Sequence, residues 1–515
     1  MSKLATLHPT TSDDVEHVDV LIVGAGISGI GAAHHLQDQC PEKSFVILES
    51  KESFGGTWHT HTYPGIRSDS DLYTFGYRFK PWSGKPVAEA DAILKYLGEA
   101  IEEDDIDQRI RYQHEVLRAS WCSDQQRWLL EARKKDSGET VFLSCNFLWM
   151  CQGYYRHSEG YTPNFEGAEN FQGSIVHPQS WPEDLDYKDK RVVVIGSGAT
   201  AATLIPNMAE DCSHITMLQR SPTYFHTGEN RNEMADTLRA LDIPEQWTHE
   251  IVRRKLLAEQ REIQDVSTSH PELIKEELLK VVSSYVGDVC DVEKHFTPSY
   301  RPWQQRIAYV PDADLFKSIA SGKVTMVTDH IERFTETGIL TKSGKELEAD
   351  IIVTATGFNL SVMGDILFEV DGVPVDFANT FTYRGIMNSG LPNMAAMFGY
   401  LRTSWTMRVD LVCDFVCRLL NHMAKNGTQV CTPTLRAEDA NMKAHPWVEA
   451  EDFNPGYMQR SVHLMPKQGD HAPWRFINDY YIEKDQLPAV DLDEGALAFT
   501  GPTALASQQR TLHFG

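Results

Sequence analysis

Two short apolar runs in this chain each break into glycine and then change period. Residues 19–23 (Asp-Val-Leu-Ile-Val) lead into Gly24-Ala25-Gly26-Ile27-Ser28-Gly29, after which apolar positions recur at helical spacing to about Gln37. Residues 191–195 (Arg-Val-Val-Val-Ile) lead into Gly196-Ser197-Gly198-Ala199-Thr200-Ala201 and a second helical stretch to about Met208. Each pattern predicts strand, tight turn and helix, the opening of a parallel βαβ unit. Between them, residues 154–190 are rich in glycine, proline and polar side chains and read as a linker. From about Asn230 to Val286 the pattern is helical and charged, with Ile274, Leu278, Val281, Val282 and Tyr285 on one face and Pro271 and Glu272 suited to a first turn. Strands are predicted again near 323–327 and 346–354. An amphipathic helix from Met407 to Lys425 stops at Asn426-Gly427. After Thr432 the pattern is irregular and predicts no definite elements.

The two glycine-rich turns carry a specific chemistry. The first glycine permits the turn, the second lets backbone approach a pyrophosphate, and the third lets helix and strand pack closely. The helix N-terminus then offers N–H groups and partial positive charge to the phosphates. After the first turn, residues 45–48 (Phe-Val-Ile-Leu) form a second strand ending in Glu49, an acid placed for ribose hydroxyls. After the second turn, the corresponding strand 214–218 ends in Gln219-Arg220-Ser221. Arginine attracts a 2′-phosphate that an acid there would repel, so this turn favours NADPH over NADH. The fold class is therefore α/β, with two Rossmann-like dinucleotide-binding domains. The first is discontinuous, 17–157 and 351–515. The second, 158–350, carries a helical insertion at about 226–300, and 1–16 is a flexible tail.

Charge and cysteine usage narrow the field. The chain has 515 residues, and 48 basic against 73 acidic side chains leave a formal charge of −25. That excess repels phosphate backbones and argues against a nucleic-acid partner. There is no run of 18 apolar residues to span a membrane and no apolar leader, which predicts a cytoplasmic protein. Nine cysteines, an odd number, fit reduced thiols. Cys413 and Cys417 lie one helical turn apart rather than in the Cys-x-x-Cys redox spacing, which disfavours a flavin-dependent disulfide reductase. No metal site is expected.

The stretch 55–69 (Gly-Gly-Thr-Trp-His-Thr-His-Thr-Tyr-Pro-Gly-Ile-Arg-Ser-Asp) resembles the long fingerprint of the Baeyer–Villiger monooxygenases, and every specified position matches. Residues 171–182, Phe-Gln-Gly-Ser-Ile-Val-His-Pro-Gln-Ser-Trp-Pro, resemble the second fingerprint of that family, just before the second glycine-rich turn. Ala355-Thr356-Gly357-Phe358 looks like the family's returning strand beside the flavin. Within the family, 63–71, 302–306 and 404–406 are similar to the ethionamide-activating mycobacterial enzymes and related long-chain alkane monooxygenases. One departure is Met150-Cys151-Gln152-Gly153, where relatives often carry Ala-Thr-Gly.

The resemblance implies FAD at the first turn and NADPH at the second. NADPH reduces FAD, O2 forms a peroxyflavin, and a ketone becomes an ester or lactone, with sulfoxidation as a further outcome. It implies Gly24, Gly26, Ser28, Gly29, Glu49, Gly56, Thr57, Trp58, Asp69, Val116 and Gly357 around FAD. His177, Gly196, Gly198, Thr200, Arg220, Ser221 and Trp405 fall to NADP. Arg306 is implied as the fixed cation beside the oxygen-transfer centre, oriented by Asp69. Two alternatives stay open: a flavin monooxygenase acting mainly on sulfur or nitrogen, and a non-catalytic flavin-binding sensor. The ketone or sulfide itself, and the oligomeric state, are not specified by the sequence.

Overall fold

Val20, Leu21 and Ile22 have no exposed surface, as a strand covered on both faces requires. Their strand, Glu16–Val23, lies between Phe45–Leu48 and Thr140–Met150 and runs parallel to both. The computed structural model describes residues 15–501. The tail expected at 1–16 lies outside these residues up to position 14, and Glu16 already opens the first strand. Ile110–Arg111 extends the sheet past Phe45–Leu48. On the other side Arg127–Lys134 and His114–Cys122 continue it antiparallel, and Met394–Ala396 returns to pair in parallel with Thr140–Met150. The helix that follows the first strand, Ile27–Gln39, packs on Trp405–Asn426, and Gly427 ends the latter in the left-handed region at φ 63°.

The second sheet is parallel throughout, in the order Val324–Thr328, His214–Gln219, Arg191–Ile195, Ile351–Thr354, Ser174–Val176. One of these strands crosses the expected boundary. Ile351–Thr354, placed above at the start of the returning first domain, pairs with Arg191–Ile195 and Ser174–Val176. The chain therefore leaves the second sheet only at Ala355-Thr356-Gly357. Ser174–Val176, inside the expected linker, is an edge strand of that sheet. Neither pairing is legible locally, because a short strand displays its own period but not the strand it bonds to.

The expected helical insertion is present as Glu233–Ala240, Glu245–Ser269, Pro271–Val286 and Val292–Phe296, with Pro271 in the first turn of the third helix. Leu278 is buried, Val282 and Val286 are buried in the second core, and Tyr285, expected on that face, is 44% exposed. The region after Thr432 has a definite anchor. Arg408 on the long helix is fully buried and donates to both carboxylate oxygens of Glu483 at 2.9 Å, and to the carbonyls of Arg384, Gly385 and Phe398. A buried guanidinium is tolerated only when its donors are satisfied in this way, so the pair fixes the C-terminal segment onto the first unit. Among the described residues no helix is long and apolar enough to cross a membrane.

Candidate functional site

Both glycine-rich turns open on one cavity of about 1470 Å³. At the first turn, Gly24 takes φ 102°, and a Cβ there would lie 2.7 Å from the Cys151 carbonyl. Gly29 packs closer still, its absent Cβ falling 1.9 Å from the Gly24 carbonyl. Gly26 is different. It caps Ile27–Gln39 with no side-chain hydrogen bond, its φ is −79°, and a Cβ would face only the Cα of Gly56 at 3.5 Å. Two bare glycines thus leave a cleft at a helix N-terminus, the shape and polarity that a pyrophosphate fits. Glu49, buried at the end of its strand, accepts from the N–H groups of Ala25 and Lys51 at 2.8 Å. A carboxylate has room for further donors after these two, which suits ribose hydroxyls.

The second turn repeats this geometry. Gly196 takes φ 133° against the Ala355 carbonyl, while Gly198 caps Ala199–Met208 without a side-chain bond, and a Cβ there would meet nothing within 4 Å. Thr200, Arg220 and Ser221 line the same cavity, with Arg220 exposed at the end of His214–Gln219. Thr57, Trp58, Val116 and Gly357 also reach the cavity wall, and Trp58 stands edge-on to Phe75 at 5.8 Å. Thr60 Oγ1 and His61 Nδ1 are buried in that wall with no partner among the described residues, as polar groups awaiting a polar ligand would be. Burial holds the His61 imidazole down at about 4, with His157, His177 and Lys51 adding to the effect, so it is neutral at pH 7.

Arg306 and Asp69 meet where the two turns converge. The Arg306 guanidinium donates to Asp69 Oδ1 at 2.8 Å and to Ser70 Oγ at 3.4 Å. It lies deep in the molecule, yet 43% of its side-chain surface stays open because that surface faces the cavity. Asp69 raises its proton affinity against the opposing cost of desolvation, so the cation is permanent. Around it stand three phenols, of Tyr154, Tyr155 and Tyr457, whose pKa values burial pushes up. The Tyr154 hydroxyl donates to that of Tyr155 at 2.8 Å.

Two further expected cofactor residues are engaged within the protein. His177 does not reach the cavity wall: its Nε2 donates to the Gly357 carbonyl at 3.2 Å and its Nδ1 accepts from Gln179 N–H at 3.1 Å, behind the crossing between the two sheets. Trp405, expected on the NADP side, donates from its indole N–H to Ser28 Oγ at 2.8 Å and stacks on Tyr154 at 5.3 Å. It therefore braces the first turn while lining the cavity.

Residues 22–83 match the family described as NAD(P)-binding Rossmann-like domain, and residues 83–228 the family described as flavin-binding monooxygenase-like. The FAD-containing monooxygenase EthA of Mycobacterium tuberculosis (strain ATCC 25618 / H37Rv) is 46% identical over 486 residues, 94% of this chain and 98% of its own length. This chain belongs to the FAD-containing monooxygenases. The probable FAD-binding monooxygenase AlmA of Acinetobacter baylyi is 43% identical over 494 residues, 95% of this chain and 97% of AlmA. The resemblance read above from short motifs thus extends, in these relatives, over nearly the whole chain. Among solved structures, an oxidised steroid monooxygenase bound to NADP superposes with a TM-score of 0.74 at 23% identity, over 94% of this chain and all of that one. An epsilon-caprolactone-bound cyclohexanone monooxygenase does so at 0.73 and 18% identity, over 94% of this chain and 100% of that one. At such identities the shared property is the fold, with its two dinucleotide-binding units.

For an FAD monooxygenase the arrangement has a direct reading. The reactants are O2 and a small molecule, the flavin must be reduced by a hydride donor, and the fold supplies a second dinucleotide unit for that donor. Sequence reasoning missed the three tyrosines. Tyr154 and Tyr155 follow the strand Thr140–Met150 in a stretch read as linker, and Tyr457 lies in the region where no elements were predicted. The adjacent pair of tyrosines just after a buried strand was the one available signal.

Proposed function

We propose that this monooxygenase converts a ketone to an ester or lactone at the expense of NADPH and O2, releasing NADP+ and water, and that it also oxygenates sulfides. The observation that carries this reading is the Arg306–Asp69 ion pair, open to the cavity at the junction of the two glycine-rich turns. FAD, when bound, supplies the activation of O2. The protein's own residues bind, orient and stabilise charge. Gly26 and Gly56 leave space for the flavin pyrophosphate, Gly24 and Gly29 set the turn, and Glu49 faces the ribose. Gly198 and Thr200 approach the pyrophosphate of NADPH, and Arg220 with Ser221 takes its 2′-phosphate. Arg306 holds a fixed positive charge beside the carbonyl oxygen as that oxygen becomes anionic, and Asp69 keeps the guanidinium aimed. The half-buried phenols remain neutral and close the pocket on one side with aromatic surface. All nine cysteines are unpaired, which fits a reducing, cytoplasmic setting.

Incubation with NADPH and a panel of linear, cyclic and aryl ketones and sulfides tests this, with products identified by mass spectrometry. Esters or lactones from at least one ketone class are expected. Sulfoxides without any ester would shift the assignment to a sulfur-directed monooxygenase.

The cofactor choice has its own test. A charge-assisted arginine–phosphate contact contributes roughly 1.5–3 kcal/mol. Arg220→Ala is expected to weaken NADPH binding by about ten- to a hundredfold and to leave NADH nearly unchanged. Titration of both nucleotides decides it, and equal losses would remove Arg220 from phosphate recognition.

A further inference from the structure

The cavity that opens on Arg220 is bounded on its far side by the C-terminal segment, whose short helix Gly456–Ser461 carries Arg460. The Arg460 guanidinium lies flat over the Tyr161 ring, 3.4 Å from its centroid, and donates to the Phe358 carbonyl at 3.2 Å. These contacts hold the side chain in place but leave its charge uncompensated. Among the described residues neither Arg460 nor Arg220 is paired with a carboxylate, although the chain carries 25 more acidic than basic residues. Asp329, an acid at a strand end on this wall, has its carboxylate turned onto the N–H groups of His330 and Ser343. Burial lowers the Arg460 pKa, and Arg220 lowers it further, as two neighbouring like charges must. Two unpaired guanidinium groups facing one space disfavour each other until an anion lies between them.

We propose that Arg460 is a second specificity-determining residue for the nicotinamide cofactor: from the C-terminal segment it closes on the 2′-phosphate opposite Arg220. The proposal rests on the NADPH reading of the second turn and extends it to a part of the chain outside either dinucleotide-binding sheet. The planar fork of arginine can stack on Tyr161 with one face and still present N–H groups to a phosphate at its edge, which a lysine ammonium cannot reproduce. The segment that bears Arg460 is also stitched to the loop of Arg306. Arg301 donates to the Glu451 carbonyl at 2.8 Å, Asn454 N–H to the Gln304 carbonyl at 2.9 Å, and Gln305 to Asn454 Oδ1 at 3.1 Å. Tyr457, one turn before Arg460, faces Arg306. A phosphate held by Arg460 therefore also pins the segment that walls the reaction centre.

The test uses the flavin-loaded protein and four probes: NADP+, NAD+, adenosine 2′,5′-bisphosphate and 5′-AMP, titrated by calorimetry. Arg460→Gln is expected to bind NADP+ and adenosine 2′,5′-bisphosphate about tenfold more weakly, with NAD+ and 5′-AMP unchanged and flavin content intact. Arg460→Lys restores part of the loss. In the parent protein NADP+ slows backbone hydrogen exchange across residues 451–461, and in Arg460→Gln it does not. Unchanged affinity for adenosine 2′,5′-bisphosphate in Arg460→Gln would overturn the proposal. Equal losses for NADP+ and NAD+ would overturn it too, because the contact would then lie on a part both nucleotides share. Arg220→Ala, run alongside, separates this failure from failure of the underlying reading: if that variant binds NADP+ as the parent does, the 2′-phosphate lies elsewhere altogether.

Discussion

Arg306→Ala is expected to reduce its flavin with NADPH yet form ester about a hundred- to a thousandfold more slowly, releasing hydrogen peroxide instead. Hydride transfer precedes any contact of the flavin with oxygen and places no anion beside Arg306. Negative charge arises later, at the oxygen being transferred and at the substrate carbonyl. In a cavity walled by Tyr154, Tyr155, Tyr457 and Trp405, water is a poor substitute for a fixed cation. Deleting one such donor costs about 3–4 kcal/mol in anion sites of this kind. Asp69→Ala is expected to err in the same direction but less severely, because the guanidinium stays charged and retains its weaker contact with Ser70 at 3.4 Å. Rapid-mixing absorbance follows the reductive step while chromatography counts ester per NADPH. An Arg306→Ala protein that couples normally would place the cation elsewhere.

Gly26→Leu is expected to abolish flavin binding while leaving the fold standing. The two neighbouring glycines of the turn cannot make this test. A Cβ on Gly29 would overlap the Gly24 carbonyl at 1.9 Å, and Gly24 itself holds φ 102°, so either change damages the turn. Gly26 has φ −79°, open to any residue, and its Cβ would meet Gly56 Cα at an ordinary 3.5 Å. The remainder of a leucine side chain must then extend into the cleft between the two glycines, where the pyrophosphate belongs. A steric block of this kind lowers affinity by at least about a hundredfold, or roughly 2.8 kcal/mol. The expected product is a colourless protein with the parent's circular dichroism. A yellow protein with full flavin content would show that the pyrophosphate does not approach Gly26.

What the sequence disclosed, and what it did not, follows from the range of each interaction. Gly24, Gly26, Gly29 and Glu49 were legible because turn, helix start and strand end lie within thirty residues and each has a local steric reason. Arg306 and Asp69, 237 residues apart, came from motif resemblance, and the structure brings them to 2.8 Å. Ile351–Thr354 was placed with the first domain and Ser174–Val176 was read as linker, because strand pairing is non-local and neither short run names its partner. Tyr285 follows the helical period of its neighbours, yet the core it was expected to join ends at Val282 and Val286. His177, expected at a nucleotide, has both ring nitrogens engaged by backbone, at Gly357 and Gln179, contacts that no spacing in the sequence displays. Tyr457 and Arg460 come from a segment held in place by Arg408–Glu483, a buried ion pair between distant helices that no periodicity reveals.

On the proposed reading, this cavity inserts one atom of O2 into a carbonyl compound under the charge of Arg306. Turnover of a ketone under 18O2 with NADPH, followed by mass spectrometry of the product, tests it most directly. An ester or lactone carrying one 18O atom is expected, formed nearly one per NADPH consumed, with its loss to hydrogen peroxide in Arg306→Ala. An ester without the label, or NADPH oxidation that yields only hydrogen peroxide with every ketone tried, would contradict it.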